Sequence, residues 1–205
     1  MQDKKTMQMV QLAILTAIVL LMAFTPLGYL RTGGLSISLL TIPVAIGAMI
    51  LGPGAGAVLG TIFGLTSFYQ CFGMSVIGTA MLGINPFFTF LVCVPTRALM
   101  GFVTGIVFRA ARKRDRTRIL SYYIGGLSAA CFNTLFYMST LLLCFWNTEY
   151  LQSINATLGN LNPLVFVFVF VGINGAIELP SCCLVAGTIS KTLEKAFKLN
   201  PAMAK

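Results

Sequence analysis

Residues 32–96 read TGGLSISLLTIPVAIGAMILGPGAGAVLGTIFGLTSFYQCFGMSVIGTAMLGINPFFTFLVCVPT, which is 65 consecutive positions between Arg31 and Arg97 without one Asp, Glu, Lys or Arg. A soluble domain carries about 25% charged residues, so a run of this length belongs in lipid or inside protein. The rest of the chain agrees: its 205 residues are 57% hydrophobic and only 9% charged. A helix that spans a bilayer needs about 20 mostly apolar residues, and the apolar segments fall near 7–26, 36–51, 54–72, 84–108, 119–146 and 163–189. Open strands leave backbone groups unsatisfied in lipid. The fold class expected is therefore an all-α membrane protein, with six transmembrane helices in one compact bundle and residues 1–205 forming a single domain. The first segment is kept as a span rather than a signal peptide: its apolar run exceeds the usual 7–15 residues, and Thr25-Pro26-Leu27-Gly28 is no small-residue cleavage site.

Charge sets the expected orientation. Twelve of the 14 basic residues fall to one side if the N-terminus is cytoplasmic: Lys4, Lys5, Arg109, Arg112, Lys113, Arg114, Arg116, Arg118, Lys191, Lys195, Lys198 and Lys205. Short loops rich in Lys and Arg stay inside, so both termini and the 109–118 loop are expected in the cytoplasm, and the loops near 27–35, 69–83 and 147–162 outside. A net charge of +9 could suggest nucleic acid, but these residues lie between apolar runs rather than along the basic face of a soluble reader. The basic loop is read as a topology signal.

Reaction chemistry finds no residues to carry it. The chain has no His, and Cys71, Cys93, Cys131, Cys144, Cys182 and Cys183 show no metal-ligand or CxxC spacing, so no metal and no cofactor are expected. All six cysteines are read as small buried hydrophobes. No P-loop, HExxH or GxSxG is present, so neither unaided pumping nor catalysis is expected. A membrane enzyme acting on lipid would want clustered acidic metal ligands, and Asp3, Asp115, Glu149, Glu178 and Glu194 do not cluster in sequence.

Small residues and deep polar residues carry what remains. Gly52, Gly56, Gly60 and Gly64 recur every fourth residue, with Gly101 and Gly105 repeating the spacing; such stripes let helix backbones approach closely. Ala13 and Ala17 form a smaller surface of the same kind. An ionisable residue within a span is a functional candidate by default, and two qualify. Arg97 and Glu178 lie about 20 and 22 Å below the outer helix ends at 1.5 Å rise per residue. Asn133 and Asn174 fall near the same layer, with Tyr137 one turn from Asn133. One reading is an internal Arg97–Glu178 ion pair that only holds the bundle together. The other is a cavity floor in which Arg97 receives a carboxylate. Tyr29, Gly33, Gly34, Gln70, Phe72, Asn85, Trp146, Asn147, Asn160 and Asn162 are candidate walls in the outer loops, with Trp146 read rather as an interfacial belt residue.

Pro26-Leu27-Gly28-Tyr29, Leu40-Thr41-Ile42-Pro43-Val44-Ala45-Ile46-Gly47, Ile50-Leu51-Gly52-Pro53-Gly54-Ala55-Gly56-Ala57, Gly60 and Phe63-Gly64-Leu65-Thr66-Ser67 together resemble the substrate-binding S components of energy-coupling factor (ECF) vitamin transporters. The likeness extends over nearly the whole chain. Ala13 and Ala17 match that family's first-helix AxxxA, and Pro95-Thr96-Arg97 looks like its Pro-Arg element with Thr96 inserted, which turns the Arg by about 100° relative to the proline. The resemblance implies a bacterial plasma-membrane subunit that captures a vitamin outside. It also implies a transmembrane T component that docks on the AxxxA face, and two cytoplasmic ATPases that supply energy. The pantothenate branch is nearest, and Arg97 with nearby amides suits one carboxylate, an amide and hydroxyls. Riboflavin is the rival cargo, and a scaffold subunit that binds no ligand is the alternative outside the class.

Overall fold

The computed structural model describes residues 2–25, 28–32, 35–117, 119–157, 159–163, 165–166, 169, 175 and 178–197. Its elements run α1 (Gln2–Phe24), β1 (Tyr29–Thr32), β2 (Leu35–Ser38), α2 (Thr41–Ile50), α3 (Pro53–Gln70), α4 (Val76–Ile84), α5 (Pro86–Arg114), α6 (Leu120–Phe145) and α7 (Glu149–Thr157). The described residues between 163 and 181 are helical. A π-turn at Cys182–Ala186 then leads into α8 (Gly187–Phe197). Among the described residues three helices, within α1, α5 and α6, are long and apolar enough to cross a membrane. Their outer surfaces expose large apolar side chains such as Ile14, Leu21, Leu99, Phe102, Leu135 and Leu143. Exposed apolar surface on this scale marks contact with another apolar phase.

The helical bundle is as expected, with one addition. Segment 36–51 is not one helix: its first part is strand β2, paired antiparallel with β1 in the register Tyr29↔Ser38 to Thr32↔Leu35. Its second part is α2, ten residues and hence about 15 Å long, half of a bilayer's hydrocarbon thickness. A continuous apolar run looks the same to a hydropathy window whether it folds as helix or strand, so the division was not visible there. The expected loops near 69–83 and 147–162 carry α4 and α7. The basic loop begins later than expected, because α5 continues through Arg112, Lys113 and Arg114 in its last turn, where cations complement the helix dipole. Asp115 follows and accepts hydrogen bonds from the Ser121 and Thr117 backbone N–H groups at 2.7 and 3.0 Å. These donors hold its carboxyl well below the usual carboxylate range.

The glycine stripe is internal packing. A Cβ on Gly56 would lie 2.4 Å from the Gly101 carbonyl oxygen, one on Gly60 would lie 2.2 Å from that of Arg97, and one on Gly64 would lie 2.7 Å from the Val94 Cα. Gly105 faces Pro53 in the same way, at 2.6 Å from its Cα. The backbones of α3 and α5 therefore touch along their shared length. Gly52 is not part of the helix but its N-cap, at φ 103°, a conformation that costs other residues dearly. The cysteines depart from the expectation. Cys71, Cys93 and Cys182 are buried, Cys144 and Cys183 half-buried, and Cys131 is exposed. Cys131 sits on the outward side of α6 with the exposed Leu127 and Leu135.

Gly60→Val places a branched side chain against backbone that cannot yield. We expect a loss of about 3 kcal/mol of stability, the upper end of overpacking costs, read as a lower melting temperature in detergent. Gly83→Ala, where a Cβ meets nothing within 4 Å, should melt like the wild type.

Candidate functional site

Glu178 is the pivot of the polar layer. It is buried, with 6% exposure, and its Oε1 accepts hydrogen bonds from Thr41 Oγ1 at 2.7 Å and from Asn133 Nδ2 at 3.0 Å. Thr41 is the first residue of α2 and Asn133 lies in α6, so one carboxylate oxygen joins three separate parts of the bundle. Burial of a carboxylate is costly unless it is hydrogen-bonded. Two converging donors offset that cost, and the N-terminal end of α2 adds the favourable end of its dipole.

Arg97 occupies the same layer on different terms. It is 8% exposed, its Nη1 donates to the Cys93 carbonyl oxygen at 3.1 Å, and its Cζ lies over the rings of Phe63 and Tyr137, at 4.6 and 5.0 Å from their centroids. Each such cation–π contact contributes about 0.5–2 kcal/mol, the larger figure when desolvated. No N···O contact within 4.0 Å joins Arg97 to Glu178, and the ion pair found among the described residues is instead Arg112–Glu194, far along the bundle. Of the two readings left open by the sequence, a direct Arg97–Glu178 pair is not the one found: each charge has separate hydrogen-bonding partners. Arg97 Nε and Asn133 Oδ1 are both buried and make no hydrogen bond.

Local sequence explains how the arginine comes to face inward. Pro95 cannot donate to the helix ladder, and it is exposed on the outer side of α5. Thr96, by contrast, is buried and returns its hydroxyl to the Val92 carbonyl at 2.5 Å. Arg97 follows on the same inward side of α5, against the face of α3 that carries Gly60 and Phe63.

Of the residues singled out in the sequence, the structure brings together Arg97, Asn133, Tyr137 and Glu178. Asn174 lies outside the described residues, as does the side chain of Tyr29, whose backbone opens β1. Asn85 is half-buried and caps α5, its Oδ1 accepting from the N–H groups of Phe87 and Phe88 at 3.0 and 3.2 Å. Gln70 donates to the Ala23 carbonyl at 2.7 Å, tying α3 to the end of α1. Trp146 stands edge-on to Phe166, while Phe72, Asn147, Asn160 and Asn162 are exposed. Ala13 and Ala17 are exposed on α1, on a surface no described element covers. Sequence reasoning missed Thr41 and Phe63. A hydroxyl at the start of an apolar segment, and a ring three residues beyond Gly60 on the face turned to α5, were the signals available.

Comparison with known proteins gives two matches. The family described as "ECF transporter, substrate-specific component" matches residues 7–190. The chain is also 28% identical, over 202 residues, to the Pantothenate transporter PanT of Leuconostoc mesenteroides subsp. mesenteroides, covering 94% of this chain and 95% of that protein.

Thr41→Val keeps the shape of the side chain and removes one donor from Glu178. A hydrogen bond to a charged group is worth about 1.5–3 kcal/mol, and a corresponding fall in stability is expected in thermal denaturation, with Thr41→Ser close to wild type.

Proposed function

The chain belongs to the family of ECF transporter substrate-specific components, and on that premise we propose that it captures pantothenate from outside the cell and delivers it inward without enzymatic activity of its own. The observation that supports the cargo is the isolated guanidinium. Arg97 is buried between two aromatic rings with its Nε unpaired and no carboxylate in contact, a setting in which a ligand carboxylate becomes its counter-ion. Pantothenate carries one carboxylate, an amide and two hydroxyls, which suits one cation surrounded by Asn133, Tyr137, Glu178 and, by their position in sequence, Asn174 and Tyr29. Asn85 serves the same site indirectly by fixing the start of α5. The full-length likeness to a pantothenate transporter favours the same cargo.

The remaining architecture is part of the proposal. Six spans in a bacterial plasma membrane with both termini cytoplasmic accommodate the basic residues under the positive-inside rule. Energy comes from two cytoplasmic ATPase subunits through a transmembrane T component. The exposed small surface at Ala13 and Ala17 is the docking face for that component, since small residues permit close helix approach.

Calorimetric titration of the purified chain in detergent should show tight pantothenate binding, and Arg97→Ala should weaken it at least tenfold, about 1.4 kcal/mol. Unchanged affinity in a folded Arg97→Ala protein removes Arg97 from the site, and silence toward pantothenate in the wild type overturns the cargo. Ala13→Trp should bind pantothenate normally yet fail to co-purify with the T component; normal assembly would count against the docking face.

A further inference from the structure

The amide of Asn133 has two chemically opposite ends, and the structure fixes which end faces where. Its Nδ2 donates to Glu178 Oε1 at 3.0 Å, while its Oδ1 is buried without a hydrogen bond. This orientation follows from charge. A carboxylate oxygen attracts the NH2 end of an amide and repels its oxygen, so Glu178 forces Oδ1 to point away from itself. Thr41 completes the arrangement: its hydroxyl donates to the same Oε1 at 2.7 Å and is itself fully buried, which holds the carboxylate in place from α2.

Among the described residues of this layer two buried groups then remain unpaired, and they have opposite sense. Arg97 Nε–H is a donor and Asn133 Oδ1 is an acceptor. Tyr137, one turn along α6 from Asn133, lies against the Arg97 guanidinium, so both groups belong to one site. Leaving such groups unsatisfied is costly, because each forfeits its hydration without a replacement partner. A ligand that satisfies both must present an acceptor to the arginine and a hydrogen-bond donor to the asparagine.

We propose that Thr41 and Glu178 are positioning residues that lock Asn133 as a hydrogen-bond acceptor, and that the site thereby selects anionic ligands carrying a hydroxyl or amide N–H donor. The proposal rests on the pantothenate reading for its ligand and refines the role of Glu178, which acts on the ligand through Asn133 rather than by touching it. Specificity by this route is strong in principle, because an analogue that lacks the donor leaves the buried oxygen unpaired.

The test has one arm with ligand and one without. Affinities are measured for pantothenate and for analogues in which each hydroxyl is replaced by hydrogen or the amide nitrogen is methylated. In the wild type, loss of one particular donor should cost at least tenfold. In Glu178→Gln, whose side-chain amide can turn and accept either end of Asn133, that penalty should shrink to about threefold or less. Asn133→Leu should abolish it. A full penalty retained in folded Glu178→Gln, or in Asn133→Leu, overturns the proposal. In the second arm the protein is labelled with 15N-asparagine, and the Asn133 side-chain NH2 signal is identified by its loss in Asn133→Leu. That signal should shift in both Thr41→Val and Glu178→Gln and return towards its original position in Thr41→Ser. An unmoved signal overturns the positioning role whatever the cargo. If the wild type ignores pantothenate while the signal shifts as expected, the cargo assignment fails and the positioning role stands.

Discussion

Backbone contact between α3 and α5 is the constraint from which the rest of the molecule takes its geometry. Within a bilayer, helices gain nothing by hiding apolar side chains from lipid that is equally apolar, so association depends on close packing. Gly56, Gly60 and Gly64 remove every side chain that would hold the two backbones apart, and Gly101 and Gly105 do the same from the other helix. One of the backbone atoms pressed against this stripe is the carbonyl oxygen of Arg97. The position of the deepest cation is thus set by a glycine on a neighbouring helix.

With Arg97 placed, the other polar groups arrange themselves by hydrogen-bond sense. Glu178 gathers donors from Thr41 and Asn133, whereas Arg97 is held by a backbone carbonyl and two aromatic faces. Buried ions of opposite sign commonly neutralise one another, because an unpartnered buried charge is strongly destabilising. Here each has its own hydrogen-bonding partners, and no direct contact joins the two. The opposite arrangement holds at the other end of α5, where Arg112 pairs directly with Glu194, which also accepts from the Tyr122 hydroxyl.

Much of this was legible in the sequence, and the exceptions share a cause. The bilayer environment follows from 65 uncharged positions, the α3–α5 seam from glycines at every fourth residue, and the polar layer from the rarity of ionisable residues at such depth. What hydropathy does not distinguish is a helix from a strand followed by half a helix, so β2 and α2 were read as one span. Nor does it reveal which polar side chains attend to the backbone. Asn85 and Gln70 have the composition of a binding wall, and the structure shows that one also caps α5 and the other donates to the Ala23 carbonyl near the end of α1. Thr41 and Phe63 were hidden for the converse reason: a threonine and a phenylalanine in an apolar segment look like packing until the residues they touch are known.

The shortness of α2 has an electrostatic consequence. Because it begins at Thr41 beside Glu178, the positive end of its dipole, equivalent to roughly half an elementary charge, is delivered to the middle of the molecule rather than to its surface. Together with two neutral donors it offsets the burial of the carboxylate, so that Arg97 is not needed as its direct partner. A dissolved molecule approaching this layer therefore meets a sign before it meets a shape. On the function proposed above, that sign favours an acidic end over a cationic one, so that orientation is decided during the approach and close fit has only to confirm it.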